Sequence, residues 1–219
     1  MYENIIFDLD GTLLDTLDDL TDATNFALEK CGLKPRTRDE VRAFVGNGVV
    51  KLMERAVGEE GKPRLMDTIA EFKQYYAKHS ADKTAPYEGI IPLLQALKAQ
   101  GVKTAVVSNK PNFAVESLAV EYFDGLLLTA VGENEEIGIR KKPAPDSLLA
   151  VMQQLSATAE NTVYVGDSEV DVQTAKNAGI ECICVTWGFR DKALLESEGG
   201  KIFVDTPAEI LAYTKGAGI

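Results

Sequence analysis

Asp8 and Asp10 stand two residues apart in Asp8-Leu9-Asp10-Gly11-Thr12, directly after the apolar run Asn4-Ile5-Ile6-Phe7. Three further polar clusters recur downstream: Ser108-Asn109-Lys110, Lys142-Pro143, and Gly166-Asp167-Ser168-Glu169-Val170-Asp171. Carboxylates, hydroxyls and lysines of this kind suit phosphoryl chemistry, which needs a positioned attack and compensation of negative charge. Each cluster also has a plain structural reading. Asp8 and Asp10 suit a strand-end turn, Asp171 and Ser108 suit helix caps, and Arg140-Lys141-Lys142 suits a solvated basic face. A calcium loop at Asp8 is excluded, because its glycine belongs two positions after Gly11 and a glutamate is required where Asp19 stands.

The elements around these clusters decide between the readings. Asn4–Phe7, Thr104–Val107, Leu126–Leu128, Thr162–Val165 and Ile180–Val185 read as short apolar strands. Helices are expected over Ile90–Ala99, Phe113–Glu121, Pro145–Leu155 and Val172–Ala178. This alternation predicts a Rossmann-like parallel sheet covered by helices on both faces. Between about Asp15 and Thr84 the pattern is helical throughout. Leu17, Leu20, Thr24 and Leu28 share one face, Thr37 to Glu40 form a capping box, and Leu65, Ile69, Phe72 and Tyr76 share another face. The expected organisation is an α/β core of residues 1–14 and 85–219 with a smaller all-helical unit, 15–84, inserted after the first strand. All four polar clusters then fall at the carboxyl ends of parallel strands, where open α/β sheets bind ligands.

The chain of 219 residues carries a net charge of −11, with 34 acidic and 23 basic residues. Such a chain repels nucleic acid and anionic membrane, so neither is expected as a partner. It repels phosphate too, so local positive charge must be recruited. Cys31, Cys182 and Cys184 show no disulfide or metal spacing, and no export signal or long apolar span is visible. A cytoplasmic protein, monomer or homodimer, is expected. His79 is the single histidine, on a polar helix, which argues against histidine catalysis. Trp187-Gly188-Phe189 reads as packing or a loop anchor.

The four clusters resemble the motifs of the haloacid dehalogenase superfamily of phosphohydrolases. Asp8-Leu-Asp-Gly-Thr-Leu13 is similar to the first, Ser108 to the second, Lys142-Pro143 to the third, and Gly166-Asp-Ser-x-x-Asp171 to the fourth. They occur in the same order, and the resemblance spans nearly the whole chain. The helical insert is similar to that family's cap. Phe44-Val-Gly-Asn-Gly48 and Lys142-Pro-Ala-Pro-Asp146 resemble the phosphoglycolate phosphatase group, whereas Glu133-Asn-Glu-Glu136 departs from its pattern.

The resemblance implies a phosphatase acting through an aspartyl phosphate on Asp8, with Asp10 as proton donor and acceptor. Asp10 would need a carboxyl pKa raised by neighbouring negative charge. Four acids facing one lysine cannot admit a dianionic phosphate unaided, so Mg2+ is implied. Asp8, Asp167 and the main-chain carbonyl of Asp10 would hold it, with Asp171 and Ser168 in support. Thr12, Ser108, Asn109 and Lys142 would bind the phosphate. A cap over the site implies a small phosphorylated metabolite, such as phosphoglycolate, met by Gly46, Asn47, Gly48 and Lys51. A phosphomutase needs the same motifs, and a non-catalytic binding protein on this fold is the remaining alternative. Relatives that cleave C–Cl or C–P bonds usually lack an acid at the Asp10 position.

Overall fold

The computed structural model describes residues 1–134 and 138–214. Chain order is β1 (Asn4–Phe7), β2 (Leu14–Asp15), α1 (Leu17–Lys30), α2 (Arg38–Phe44), α3 (Val49–Gly61), α4 (Leu65–His79), β3 (Ala85–Pro86), α5 (Ile90–Ala99), β4 (Lys103–Pro111), α6 (Asn112–Phe123), β5 (Thr129–Glu133), α7 (Asp146–Leu155), β6 (Thr162–Gly166), α8 (Glu169–Ala178), β7 (Glu181–Val185), α9 (Lys192–Ser197) and β8 (Ile202–Val204).

Six strands form one parallel sheet in the order β5-β4-β1-β6-β7-β8. β1 lies inside the sheet and has no polar face. Ile5 and Phe7 join one apolar cluster with Leu94, Val106 and Val163, while Ile6 joins Val107, Leu148 and Tyr164 on the opposite side. Alternating side chains buried on both faces are what a strand covered by two helical layers requires. Helices α1 to α4 pack around their own apolar cluster, including Leu20, Leu28, Met53, Phe72 and Tyr76. That cluster touches the remainder of the chain through Ala114 and Phe189. The two crossings into and out of this helical block meet as a short antiparallel ladder, Leu14 opposite Pro86 and Asp15 opposite Ala85. Among the described residues, no helix is long and apolar enough to cross a membrane.

The structure differs from the sequence expectation in several places, including α9 and the β2–β3 ladder, which were not expected. The strand expected at Leu126–Leu128 lies at Thr129–Glu133 instead. Leu126 and Leu127 pack against the core as a turn and Leu128 is exposed, because three leucines satisfy a packed turn as well as a strand. β4 continues beyond Val107 through Ser108, Asn109 and Lys110, with an irregular register before Pro111. β8 is a three-residue strand whose pattern is too short to carry a period. α8 starts at Glu169 rather than Val172, since Ser168 and Asp171 form a capping box. The three cysteines are free thiols, and Cys184 is buried.

Candidate active site

Four neighbouring strands bring the polar clusters to one edge of the sheet. Asp8 leaves β1 with its N–H bonded to the Val165 carbonyl on β6 at 2.8 Å. The chain then turns at Gly11, whose φ is +83° and where a Cβ would stand 2.4 Å from Asp167 Oδ2. Glycine is therefore required both for the backbone conformation and for the approach to Asp167. Asp167, after β6, accepts the Thr12 hydroxyl at 3.1 Å on Oδ1 and the Phe189 N–H at 2.7 Å on Oδ2. Trp187 ties the same loop down by donating Nε1–H to the Thr12 carbonyl at 3.0 Å.

Lys142 arrives from the loop after β5. Its ammonium lies 2.9 Å from Asp8 Oδ1 and 2.7 Å from Asp171 Oδ1, and it donates to the Tyr164 hydroxyl at 2.9 Å. Burial opposes the Lys142 charge, but Asp171 and Asp8 hold it protonated, well above the ordinary lysine range. Asp171 has its other oxygen filled by the Ser168 hydroxyl at 2.6 Å and the Ser168 N–H at 3.0 Å. Burial raises Asp8 to about 7. Lys142 opposes that rise, and Asp171 and Asp10 add to it. Asp167 is raised well above its ordinary value by burial and then by Asp171 and Asp8.

These acids fit a hard divalent cation. Asp8, Asp167 and Asp171 each place an oxygen within 4.8 Å of the others. Asp8 Oδ1 is buried and accepts no hydrogen bond, its close neighbour being the Lys142 ammonium at 2.9 Å as an ion pair. Only Asp8 and Asp171 of these three buried carboxylates pair with the Lys142 ammonium, an arrangement short of positive charge and rich in the oxygen donors that magnesium prefers.

The structure brings together Asp8, Asp10, Ser108, Asn109, Asp167 and Ser168 on the walls of one cleft. From the helical block, Gly46 and Gly48 line it, with Leu20, Val49, Leu52 and Tyr76. The enclosed space of the cleft is small, about 50 Å3, so it suits only a small molecule. Other expected residues have different employment. Thr12 gives its hydroxyl to Asp167. Asn109 accepts from Lys142 N–H at 2.8 Å and donates at 3.0 Å to the carbonyls of both Lys142 and Gly46. Asn47 accepts from Arg55 at 2.7 Å, and exposed Lys51 pairs with Glu54 at 2.5 Å, so neither reaches the cleft. Of the acidic stretch 133–136, residues 135 and 136 lie outside the described residues. His79 is half-buried and bonds to Asp82.

Sequence reasoning left several cleft residues without a role. Lys110 is buried, with its ammonium 2.7 Å from Asp10 Oδ1 and 2.5 Å from the Tyr76 hydroxyl. Asp10 Oδ1 thus has the Lys110 ammonium and the Thr16 hydroxyl each at 2.7 Å, a cation beside the carboxyl in addition to the neighbouring negative charge of Asp8 that was expected. Burial works against the Lys110 charge, yet Asp10 and then Tyr76 hold its pKa above the ordinary lysine range. Arg190 lines the cleft and pairs with Glu169 at 3.0 Å. Lys110 had a signal in its position beside Ser108. Tyr76 had none, since its spacing marks only a packed helix face.

The comparisons agree with this geometry. Residues 5–185 match the model of the haloacid dehalogenase-like hydrolases. A phosphoglycolate phosphatase of Pseudomonas putida is 35% identical over 207 residues, covering 92% of this chain and 75% of that protein. One of Aquifex aeolicus is 32% identical, covering 84% of this chain and 85% of that protein. The crystal structure of a candidate phosphoglycolate phosphatase from Lactobacillus delbrueckii subsp. bulgaricus is 39% identical, with a TM-score of 0.91 over 95% of this chain and 96% of that one. With its site residues gathered at one sheet edge and the family model matched across most of its length, the chain belongs to the haloacid dehalogenase-like hydrolase family.

Proposed function

We propose that this chain is a magnesium-dependent phosphatase of small phosphomonoesters, working through an aspartyl phosphate on Asp8, with phosphoglycolate as the leading substrate. The observation that carries the reading is Asp8 itself. It is a buried carboxylate at the central strand's end, with one oxygen accepting no hydrogen bond, beside Lys142 and two further acids. A carboxylate so placed is desolvated and oriented, which is what a nucleophile needs. The relatives named above carry phosphoglycolate phosphatase in their descriptions, which supports the substrate.

In the first step a carboxylate oxygen of Asp8 bonds to phosphorus as the ester P–O bond breaks. Asp10 gives a proton to the departing alkoxide. In the second step water attacks the same phosphorus, Asp10 takes the water's proton, and Asp8 leaves with its carboxylate restored. The sum is ester plus water giving alcohol plus inorganic phosphate. Asp8, Asp167 and the Asp10 carbonyl would hold magnesium, which would supply positive charge against the transferring phosphoryl group. Lys142 offsets charge at Asp8, the Ser108 hydroxyl faces the cleft as a donor, and Asp171 orients Lys142. Residues 15–84 form a cap over the core of 1–14 and 85–219. The paired crossings at Leu14–Asp15 and Ala85–Pro86 are its hinge. The reading places the enzyme in the cytoplasm.

The test is release of inorganic phosphate from a panel of phosphoesters with magnesium, with chelator, and with Asp8→Asn. Turnover by wild type with magnesium alone supports the reading. Phosphate release by Asp8→Asn, or by chelated wild type at the full rate, overturns it.

A further inference from the structure

We infer that Lys110, assisted by Tyr76, is the specificity-determining residue of the cleft and selects phosphate esters whose alcohol carries a carboxylate one or two carbons from the ester oxygen. This rests on the phosphatase reading and deepens it.

The argument is one of donors. A lysine ammonium has three N–H groups and a tyrosine hydroxyl one O–H. Lys110 spends two, on Asp10 Oδ1 at 2.7 Å and on the Tyr76 oxygen at 2.5 Å. Tyr76 accepts there and donates to nothing else. Among the described residues, one N–H of Lys110 and the O–H of Tyr76 are left without partners, on two atoms 2.5 Å apart. Both residues line the cleft, and both are more than nine-tenths buried. Buried donors normally find an acceptor, so this pair calls for one from the substrate. A cation and a phenol side by side match the two oxygens of a carboxylate.

The surroundings narrow the ligand further. Leu20, Val49 and Leu52 form the adjoining wall and offer no polar side-chain group. Arg190, the other cation on the cleft wall, has three of its five N–H groups taken by Glu169 and by the carbonyls of Arg42 and Val45, which fix its guanidinium against the helical block. The alcohol's oxygen must reach the Asp10 carboxyl, and Lys110 is in direct contact with that carboxyl. A molecule touching both therefore carries its anion very close to the ester oxygen. Esters of short hydroxy acids fit, and long or neutral alcohols leave the two donors unmet.

The experiment compares the phosphate ester of glycolate with ethyl phosphate, which has the same chain length and no carboxylate. The readout is the ratio of their kcat/KM values on one enzyme, so damage common to both substrates cancels. Wild type is expected to favour the carboxylated ester by about 10- to 150-fold, the range of a hydrogen bond to a charged group. Lys110→Met is expected to bring the ratio close to one, and Lys110→Arg to restore part of it. Tyr76→Phe, which removes only the hydroxyl, is expected to cut the ratio about 3- to 10-fold. The last variant keeps the test decisive if Lys110→Met fails to fold. Equal use of both esters by wild type, or an unchanged ratio in Tyr76→Phe, overturns the inference and leaves the phosphatase reading standing. Hydrolysis of neither ester, nor of any other phosphoester in the panel, overturns the phosphatase reading itself.

Discussion

Arg190 reaches across to the backbone of Arg42, and Arg42 reaches back to the backbone just before Arg190. Arg190 Nη1 donates to the Arg42 carbonyl at 2.8 Å and its Nη2 to the Val45 carbonyl at 2.6 Å. Arg42 Nε donates to the Phe189 carbonyl at 2.7 Å and Nη2 to the Gly188 carbonyl at 3.2 Å. The loop so gripped also supplies the Phe189 N–H that holds Asp167. The helical block is thereby fastened to a strand-end loop that positions one of the acids.

Arg190→Ala removes two of these charged donors and the pair with Glu169. Each hydrogen bond from a charged group contributes about 1.5–3 kcal/mol when partly buried. We expect kcat/KM to fall roughly tenfold or more, with KM carrying much of the loss, because the block opens and the cleft floor loosens. Hydrogen exchange should quicken in α2. Unaltered exchange there would show that the two arginines do not hold the block closed.

Asp8→Asn tests the electrostatics apart from turnover. Burial raises Asp8 to about 7, so its folded pKa exceeds the ordinary carboxylate value of 3.8. A group raised in this way contributes stability below its unfolded pKa and loses it as pH climbs through the folded one. Metal-free wild type should therefore weaken between about pH 4 and pH 7 from this group. At pH 8 in chelator, Asp8→Asn should melt higher than wild type, by about 2–4 °C for each kcal/mol of relieved repulsion. Magnesium should stabilise wild type more than the variant. A lower melting temperature for Asp8→Asn in chelator contradicts the charge balance described here.

How legible the molecule is in its sequence depends on how local the signal is. The parallel sheet was readable because β1, β6 and β7 each carry an apolar run after a polar first residue, ending in or near a turn. The capping box at Thr37 and Glu40 was readable because both partners lie within one helical turn. The employment of Lys110, Tyr76 and Arg190 was not. Their partners are 21 to 148 residues distant, and periodicity along the chain says nothing about such contacts. The Gly46–Gly48 segment shows both sides. Gly46 and Gly48 line the cleft, whereas Asn47 and Lys51 turn to Arg55 and Glu54.

That last difference is directly measurable. Lys51 is exposed and its partner Glu54 sits on the same face one turn away. Such a pair is worth at most about 1 kcal/mol. Lys51→Ala should leave kcat/KM within about twofold for every phosphoester tested. A loss much larger than this, specific to the best substrate, would return Lys51 to the site.

Asn109 offers the sharpest contrast between the sequence reading and the geometry. The family resemblance implied a phosphate ligand at this position. Its amide instead joins three pieces of chain, accepting from the Lys142 N–H and donating to the carbonyls of Lys142 and Gly46. It thus holds the lysine loop against β4 and the Gly46 turn of the helical block against both. Asn109→Ala should cost about 3 kcal/mol of stability, roughly 1 kcal/mol for each bond removed, and more where a carbonyl is left buried and unpaired. Because Lys142 and the block loosen together, kcat/KM should fall by a similar factor for every phosphoester, unlike the ratio change expected at Lys110. Inorganic phosphate should still inhibit with nearly the wild-type constant, since no phosphate contact has been removed. Denaturant unfolding alongside phosphate inhibition separates the two roles. Unchanged stability combined with weakened phosphate inhibition would mean that Asn109 serves the phosphate and not the chain.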